Sequence, residues 1–326
     1  MKPIISVIIC THNPRLDYLN RVLEALKSQT LSLDKWELLL VDNASSKLLS
    51  TEINLNWHPN ARHVREEKLG LTAARLRGFK EAMTEIFVFA DDDNVLAPDY
   101  LKNVVDIFVN YPKLGAWGGK TIPEYEIKPE SWITEIGGLL GLRDFGDDLK
   151  VCYWEETSIP SLNSAKQLKQ YPDCSPIGAG LVLRRKAAEF YAQQVTESET
   201  RLALGRTGKQ LISGEDNDIV LTILEAGWGV GYFPQLQLIH LIPARRLTKD
   251  YLAKLNRAMS RSWIQVLDLH EIRPWKKIPR WTVLPRKMRA FFRYQPWKNA
   301  ASYVRWQGAC GTFEGLGALT HLNLGK

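Results

Sequence analysis

Through the first 120 residues, unbroken apolar runs of strand length alternate with segments whose apolar positions recur at helical spacing. Ile4 to Cys10 reads as a buried strand. Asn13-Pro14 then opens a helix carrying Leu16, Leu19, Val22, Leu23 and Leu26 on one face, with the proline in a tolerated first-turn position. Trp36 to Val41 is a second strand, closed by the turn-forming cluster Asp42-Asn43-Ala44-Ser45. Gly70 to Met83 reads as a helix, Ile86 to Ala90 as a third strand, and a further helix begins near Pro98. Such alternation implies parallel strands joined by crossover helices, hence a doubly wound α/β sheet, Rossmann-like, mostly parallel and twisted, flanked by helices. Beyond Gly115 the pattern loosens into Gly, Pro and aromatic residues, until the apolar run Tyr232 to Ile239 ends in His240.

In open α/β sheets ligands bind beyond the carboxyl ends of the strands. Three of those ends are polar here: Thr11-His12-Asn13, Asp42-Asn43, and Asp91 to Asn94. The third carries the most information. Consecutive aspartates repel one another and raise each other's pKa, so a cation or a ring of donors must compensate them, and a divalent metal is the first candidate. Taken singly, the cluster also suits a solvated turn with Asp93 or Asn94 as a helix N-cap. Three polar strand ends on one rim favour a crevice that holds a nucleotide.

A chain of 326 residues, 45% hydrophobic and 24% charged, falls among soluble globular proteins and leaves room for one large domain or two smaller ones. No segment approaches the ~18–20 continuous apolar residues of a membrane span, and MKPIISVIIC has no small-residue cleavage site, so it reads as a strand and not a signal peptide. Four scattered cysteines suggest free thiols in a reducing compartment, hence the cytosol. Charge changes the picture more. Residues 241–326 hold 17 Lys and Arg against 4 Asp and Glu, so a tail of net +13 follows a body of net −6. Such asymmetry points to a polyanionic partner, nucleic acid or the anionic face of a membrane.

The ordered series SVIICTHNPRLDYLNRVLEALKSQT, LLLVDNAS, EEKLGLTAARLRGF, FVFADDDNVLAPDYL, GAGLVLRR, GEDNDIVLTILEAGWGVGYFP and HLIPARRLTKDYL resembles the GT-A-fold glycosyltransferases of family 2 over about the first 250 residues. The resemblance implies an inverting enzyme with a nucleoside-diphosphate sugar donor, UDP or GDP, and Mn²⁺ or Mg²⁺. It implies a catalytic domain over 1–250 and a basic, Trp-rich extension over 251–326. Thr11 and Asn13 would border the nucleoside, Asp42 would accept a hydrogen bond from the base, and Arg75 would approach base or diphosphate; Leu76 stands where the family usually has Asn. ADDDN is similar to the DxD motif, which implies Asp91 on the ribose, Asp93 on the metal and Asp92 between them in the donor site. HLIPARR is similar to the closing HxxPxxR segment, which implies His240 as a second metal ligand and Arg245 and Arg246 on the diphosphate. GEDND is similar to the ED motif, which implies Asp216 as general base with Glu215 beside it, and Gly178-Ala179-Gly180 would let backbone approach the donor sugar closely. Plainer roles exist for each: a helix-surface ion pair for Arg75, a structural histidine for His240, helix-dipole partners for Glu215 and Asp216.

Trp117, Trp132 and Trp154, in and beside the segment 119–177, suit either stacking on an acceptor sugar or the core. In the tail, stretches such as Trp275 to Trp281 and Arg286 to Tyr294 interleave basic and aromatic residues. That mixture favours peripheral association with an anionic membrane. Base stacking on nucleic acid and a helical lid or oligomer contact stay open, and Pro274, Pro279, Pro285 and Pro296 should break any long amphipathic helix. The expectation is transfer of a sugar, UDP-linked before GDP-linked, onto a hydroxyl of a glycan or lipid-linked saccharide, at the inner face of the cell membrane during bacterial surface-polysaccharide assembly. A polyprenyl-phosphate sugar synthase is the alternative. A nucleotidyltransferase would show a Gly-rich loop where THNPR stands, and a purely membrane- or nucleic-acid-binding protein leaves the acidic rim without a role.

Overall fold

In the computed structural model residues 2–154, 169–208, 210–276 and 278–322 are described. The elements run β1 (Ile5–Thr11), α1 (Leu16–Lys27), β2 (Trp36–Asn43), β3 (Ala61–Glu66), α2 (Leu71–Glu81), β4 (Ile86–Phe89), β5 (Asn94–Leu96), α3 (Tyr100–Asn110), β6 (Leu114–Tyr125), β7 (Lys150–Cys152), β8 (Val182–Arg184), α4 (Arg185–Thr196), α5 (Glu199–Leu202), α6 (Glu215–Glu225), β9 (Gly229–Ile242), α7 (Lys249–Leu269), α8 (Val283–Tyr294) and α9 (Ala300–Leu322). One sheet in the order β3-β2-β1-β4-β8-β6-β9-β5 organises them, with β7 also paired to β9. Its long ladders, β1 with β2 and β4, β2 with β3, and β6 with β9, are parallel. The short strand β8 joins the two parallel halves by antiparallel pairing to β4 and β6.

The central strands are covered on both faces, which is why they read as continuous apolar runs and not as alternation. Ile5, Val7 and Ile9 of β1 point into a core shared with Leu19, Val22, Leu23 and Leu26 of α1 and with Tyr100, Leu101, Val104 and Ile107 of α3. Ile8 points the other way, toward Ala74 and Phe79 of α2, Tyr191 and Val195 of α4, and Ile219 and Ile223 of α6. The expected helix boundary shifts slightly at α1: Arg15 is its N-cap, so Pro14 lies before the helix and not in its first turn. Neither Asp93 nor Asn94 caps a helix; Asn94 starts β5 and Asp99 caps α3. Trp117 is core, while Trp132 is half-buried against the cluster around Ile133, Leu252 and Val304.

The prolines of the tail fall outside or at the start of its helices, so they separate three helices and do not abolish them. α7 and α9 pack side by side so closely that a Cβ added at Gly311 would sit 2.1 Å from the Arg257 carbonyl oxygen. Across the same seam Arg257 holds Glu314 with two nitrogens and donates to Gln307 at 3.2 Å. Among the described residues no helix is long and apolar enough to cross a membrane.

Candidate active site

Register carries the three polar strand ends to one rim. Thr11 is the parallel partner of Asp42, and β4 enters beside β1 with Phe89 opposite Ile8, so Asp91 to Asp93 emerge next to Thr11. A tight turn follows: the Asn94 amide donates to the Asp91 carbonyl at 3.0 Å, and the Asn94 side chain accepts from the Asp91 amide at 3.2 Å. The turn sends β5 antiparallel to β9 with Asn94 opposite His240. Two groups 147 positions apart thereby meet, His240 Nε2 lying 3.5 Å from Asp93 Oδ2. Arg246, in the 3₁₀ turn Ala244–Leu247, brings its guanidinium to 3.0 Å from the same oxygen and 3.3 Å from His240 Nε2.

The adjoining carboxylates diverge in charge. Burial pushes all three upward, but at Asp93 the hydrogen bond from His240 and the charge of Arg246 outweigh it and pull the pKa down to about 2. Asp92 is driven up to about 7 by burial and by Asp93, which outweigh a hydrogen bond from Thr11 Oγ1 and the charge of Arg246. Asp91 is raised by burial, which the Arg75 charge only partly offsets.

Across the cavity, α6 presents three acids in its first turn with different surroundings. Glu215 is buried opposite Arg75 of α2, Oε2 to Nη1 3.4 Å. Burial outweighs Arg75's attraction, and Asp216 and Asp218 add to it, so Glu215 is pushed up to about 7. At Arg75 the balance is opposite: burial disfavours the charge, but Glu215, Asp91 and Asp216 more than restore it. Both Glu215 oxygens and Arg75 Nε are buried without a hydrogen-bond partner among the described residues, which is unmet capacity in side chains of the cavity wall. Asp216, half-buried, accepts from the Gly178 amide at 3.2 Å and from the Asn217 amide at 3.0 Å. Asp218 turns away from the cavity, to His270.

These groups line a cavity of about 700 Å³, within the usual range for a small-molecule site. Of the expected residues, Thr11, Asn13, Arg75, Asp91, Asp92, Asp93, Glu215, Asp216, His240, Arg245 and Arg246 are all on its wall. Asn13, held at φ 47°, fixes the rim loop by accepting from the Ser46 amide and hydroxyl, each at 2.9 Å. Arg245 is exposed and makes no ion pair among the described residues.

Two expected residues lie elsewhere. Asp42 is spent on its own loop: it accepts from the Ser45 and Leu49 amides at 3.0 and 3.1 Å and from Arg65 at 2.8 Å, and does not line the cavity. Burial works against its charge, but those donors outweigh it and hold the carboxyl below the ordinary range. Gly180 sits behind the wall and not in it. Its carbonyl accepts from the Tyr100 hydroxyl at 2.7 Å, and its φ of 68°, with Leu238 and Tyr100 each 2.6 Å from where a Cβ would be, explains the glycine. Gly178 and Ala179 are the members of that segment on the wall.

Sequence reasoning missed the rest of the wall. Tyr251, Leu255, Met259 and Trp263 of α7 line it, as do Leu139 and Leu140 of the 3₁₀ segment Ser131–Leu140. Their four-residue spacing was the available signal. The division expected at residue 250 therefore runs beside the cavity, with α7 contributing to it. Arg143 and Arg206 also line it, and neither pairs with a carboxylate among the described residues.

Among the described residues no three His, Cys, Asp or Glu side chains form a ready-made cage for a metal. Asp93 and His240 do fit an ion shared with a bound diphosphate, since Mg²⁺ and similar ions commonly take one or two protein ligands and complete their shell with phosphate and water. Nδ1 of His240 is buried without a hydrogen-bond partner among the described residues, and Nε2 is the nitrogen facing Asp93.

A family model described as "Glycosyl transferase family 2" matches residues 6–190. The chain is 26% identical over 152 residues to a glucosyl-dolichyl phosphate glucuronosyltransferase of Haloferax volcanii, covering 45% of this chain and 48% of that protein. It is 30% identical over 100 residues to the Bacillus subtilis glycosyltransferase YwdF, covering 31% and 36%. The match thus spans about half the length of these relatives or less. Among solved structures, S. aureus TarS 1–349 in complex with UDP superposes with a TM-score of 0.51 at 14% identity, covering 99% of this chain and 92% of that one. The same protein in complex with UDP-GlcNAc gives 0.51 at 13% identity, with the same coverage. At this identity the likeness speaks for the fold, a GT-A-like α/β architecture.

Proposed function

The chain belongs to glycosyl transferase family 2, and from that premise we propose that it transfers a sugar, with inversion, from a nucleoside diphosphate, UDP before GDP, to a hydroxyl of a glycan or lipid-linked saccharide in surface-polysaccharide assembly. One observation carries the reading: a single cavity sets the cation-ringed Asp91-Asp92-Asp93 rim and His240 on one side, and Asp216 with an apolar α7 wall on the other. UDP and UDP-GlcNAc bound by TarS, whose fold this chain shares, support the choice of donor.

In this scheme the acceptor oxygen attacks the anomeric carbon, the bond from that carbon to the diphosphate oxygen breaks with its electron pair going to the nucleotide, and Asp216 takes the hydroxyl proton. Mn²⁺ or Mg²⁺, held by Asp93 and His240, would supply charge neutralisation at the departing diphosphate. Arg246 and Arg245 grip the phosphate oxygens, a task suited to the guanidinium fork. Thr11 and Asn13 border the nucleoside. Arg75 and Glu215, with hydrogen-bonding capacity unmet, orient the donor sugar. Tyr251, Met259 and Trp263 offer the acceptor an aromatic and apolar surface, as a sugar face or lipid-linked carrier requires.

The test is calorimetric binding and transfer with UDP- and GDP-sugars, with and without Mn²⁺ or Mg²⁺. Asp93→Ala should abolish metal-dependent nucleotide binding, and Asp216→Asn should keep binding while losing transfer by a factor of about 10²–10⁴. Undiminished transfer by the Asn variant removes Asp216 from its role. Transfer onto a polyprenyl phosphate is the second reading, favoured by Arg143, Arg206 and Arg245 around the cavity, none of which has a carboxylate partner among the described residues. A phosphate nucleophile needs no base, so Asp216→Asn retaining transfer to a prenyl phosphate would select it.

A further inference from the structure

α8 is amphipathic with its apolar side turned outward. Trp281, Leu284, Met288 and Phe292 recur at helical spacing and are 78, 69, 52 and 64% exposed. Ala290, buried opposite the stripe, and Phe291 at its edge attach the helix to the protein, the Phe291 ring standing 5.1 Å from Trp297 and 5.3 Å from Trp306 of α9. Trp297, 57% exposed, extends the outward surface. Cations flank it. No Asp or Glu occurs anywhere between Glu271 and Glu314, and among the described residues Arg280, Arg286, Arg289, Arg293 and Lys298 are exposed without a carboxylate partner.

Charge selects the occupant. A second copy related by a two-fold axis would set these cations against themselves, which disfavours a self-complementary interface. Aliphatic Leu284 and Met288 in the middle of the stripe offer no stacking platform for bases. Outward apolar groups beside a face of arginines match the boundary between anionic headgroups and acyl chains.

We propose that α8, with Trp281 and Trp297, is an in-plane anchor that seats its apolar stripe in the surface of an anionic lipid bilayer. The inference adds a surface to the proposed function and rests on it only for a lipid-linked acceptor. Vesicle binding and nucleotide binding are read separately, so either can fail without the other.

The experiment is flotation of the full chain with vesicles of phosphatidylcholine alone or with added phosphatidylglycerol. Binding should require phosphatidylglycerol and weaken as salt shortens the Debye length. Leu284→Ser with Phe292→Ser should lose at least about tenfold in vesicle affinity, and Arg286→Gln with Arg289→Gln and Arg293→Gln a comparable amount. Both sets should keep wild-type UDP binding and melting temperature, because the altered side chains are exposed. The inference is overturned by a wild type that ignores anionic vesicles, by variants that bind them equally well, or by light scattering that shows a dimer which the Ser variant dissolves. Loss of single-stranded oligonucleotide binding, and not of vesicle binding, in the Arg variant would overturn it as well.

Discussion

His270, one residue past the end of α7, ties that cavity-lining helix to the helix that carries Asp216. Its wholly buried imidazole bridges two carboxylates of α6, Nε2 at 2.8 Å from Asp218 Oδ1 and Nδ1 at 2.9 Å from Glu225 Oε2. Both contacts are hydrogen bonds only when both nitrogens carry protons. Burial presses the pKa of His270 down, but Asp218 and Glu225 outweigh it and hold it above the ordinary value of 6.5. Asp218 is fully buried, has Arg201 as its other cation at 3.5 Å, and its Oδ2 accepts no hydrogen bond among the described residues. His270→Phe keeps a planar ring, removes both donors and leaves that anion to Arg201 alone. Breaking a buried pair costs about 3–5 kcal/mol; Glu225, partly exposed, adds little because water screens it. A loss of about 3 kcal/mol is expected in urea unfolding near pH 6. A histidine with a raised folded pKa stabilises fully below its unfolded value and loses that contribution as pH rises through the folded one, so the gap between wild type and variant should narrow as pH rises above the ordinary histidine range. A loss below about 1 kcal/mol, or a gap that widens with pH, refutes an imidazolium in this role.

Trp263→Ala should raise the KM for the acceptor in steady-state assays and leave UDP affinity by calorimetry unchanged, since Trp263 lies on the α7 wall. Asp42→Asn should lower stability by about 1–3 kcal/mol through the amides and the Arg65 pair it serves, and leave the preference between UDP and GDP unaltered; a changed base preference in competitive binding would return Asp42 to the base.

The half of the sheet that was legible is the half buried on both faces. β1, β2 and β4 announce themselves as apolar runs because helices cover them on either side. β3 did not, since its sequence ARHVRE buries one side chain, Val64, and it occupies the sheet edge. β6 and β9 are interrupted by glycines, and their ladder carries irregularities between Leu114 and Ala116 and between Gly118 and Lys120, so no clean period survives in the sequence. Prolines misled in the tail for a local reason: they mark where helices start or stop, and α7, with 21 residues, fits before the first of them.

The acidic rim was readable because three consecutive carboxylates at one strand end repel one another and need compensating cations or donors, and backbone register then determines their neighbours. That logic reaches His240, whose partner across the ladder is Asn94. It does not reach Asp42, because an aspartate at a strand end can cap its own loop as readily as it can face a ligand, and the donors that decide between the two, the Ser45 and Leu49 amides and Arg65, acquire their positions only from the turn and from β3. Nor does it reach the α7 wall. Net charge presents the tail as one basic segment, yet packing assigns its helices opposite tasks: α7 turns Tyr251, Leu255, Met259 and Trp263 inward to the cavity, while α8 turns Leu284, Met288 and Phe292 outward, with Trp281 just before it. Both helices carry the same amphipathic period, so the pattern fixes which residues share a face and leaves to the α7–α9 seam, with its glycine contact at Arg257, which way each face looks.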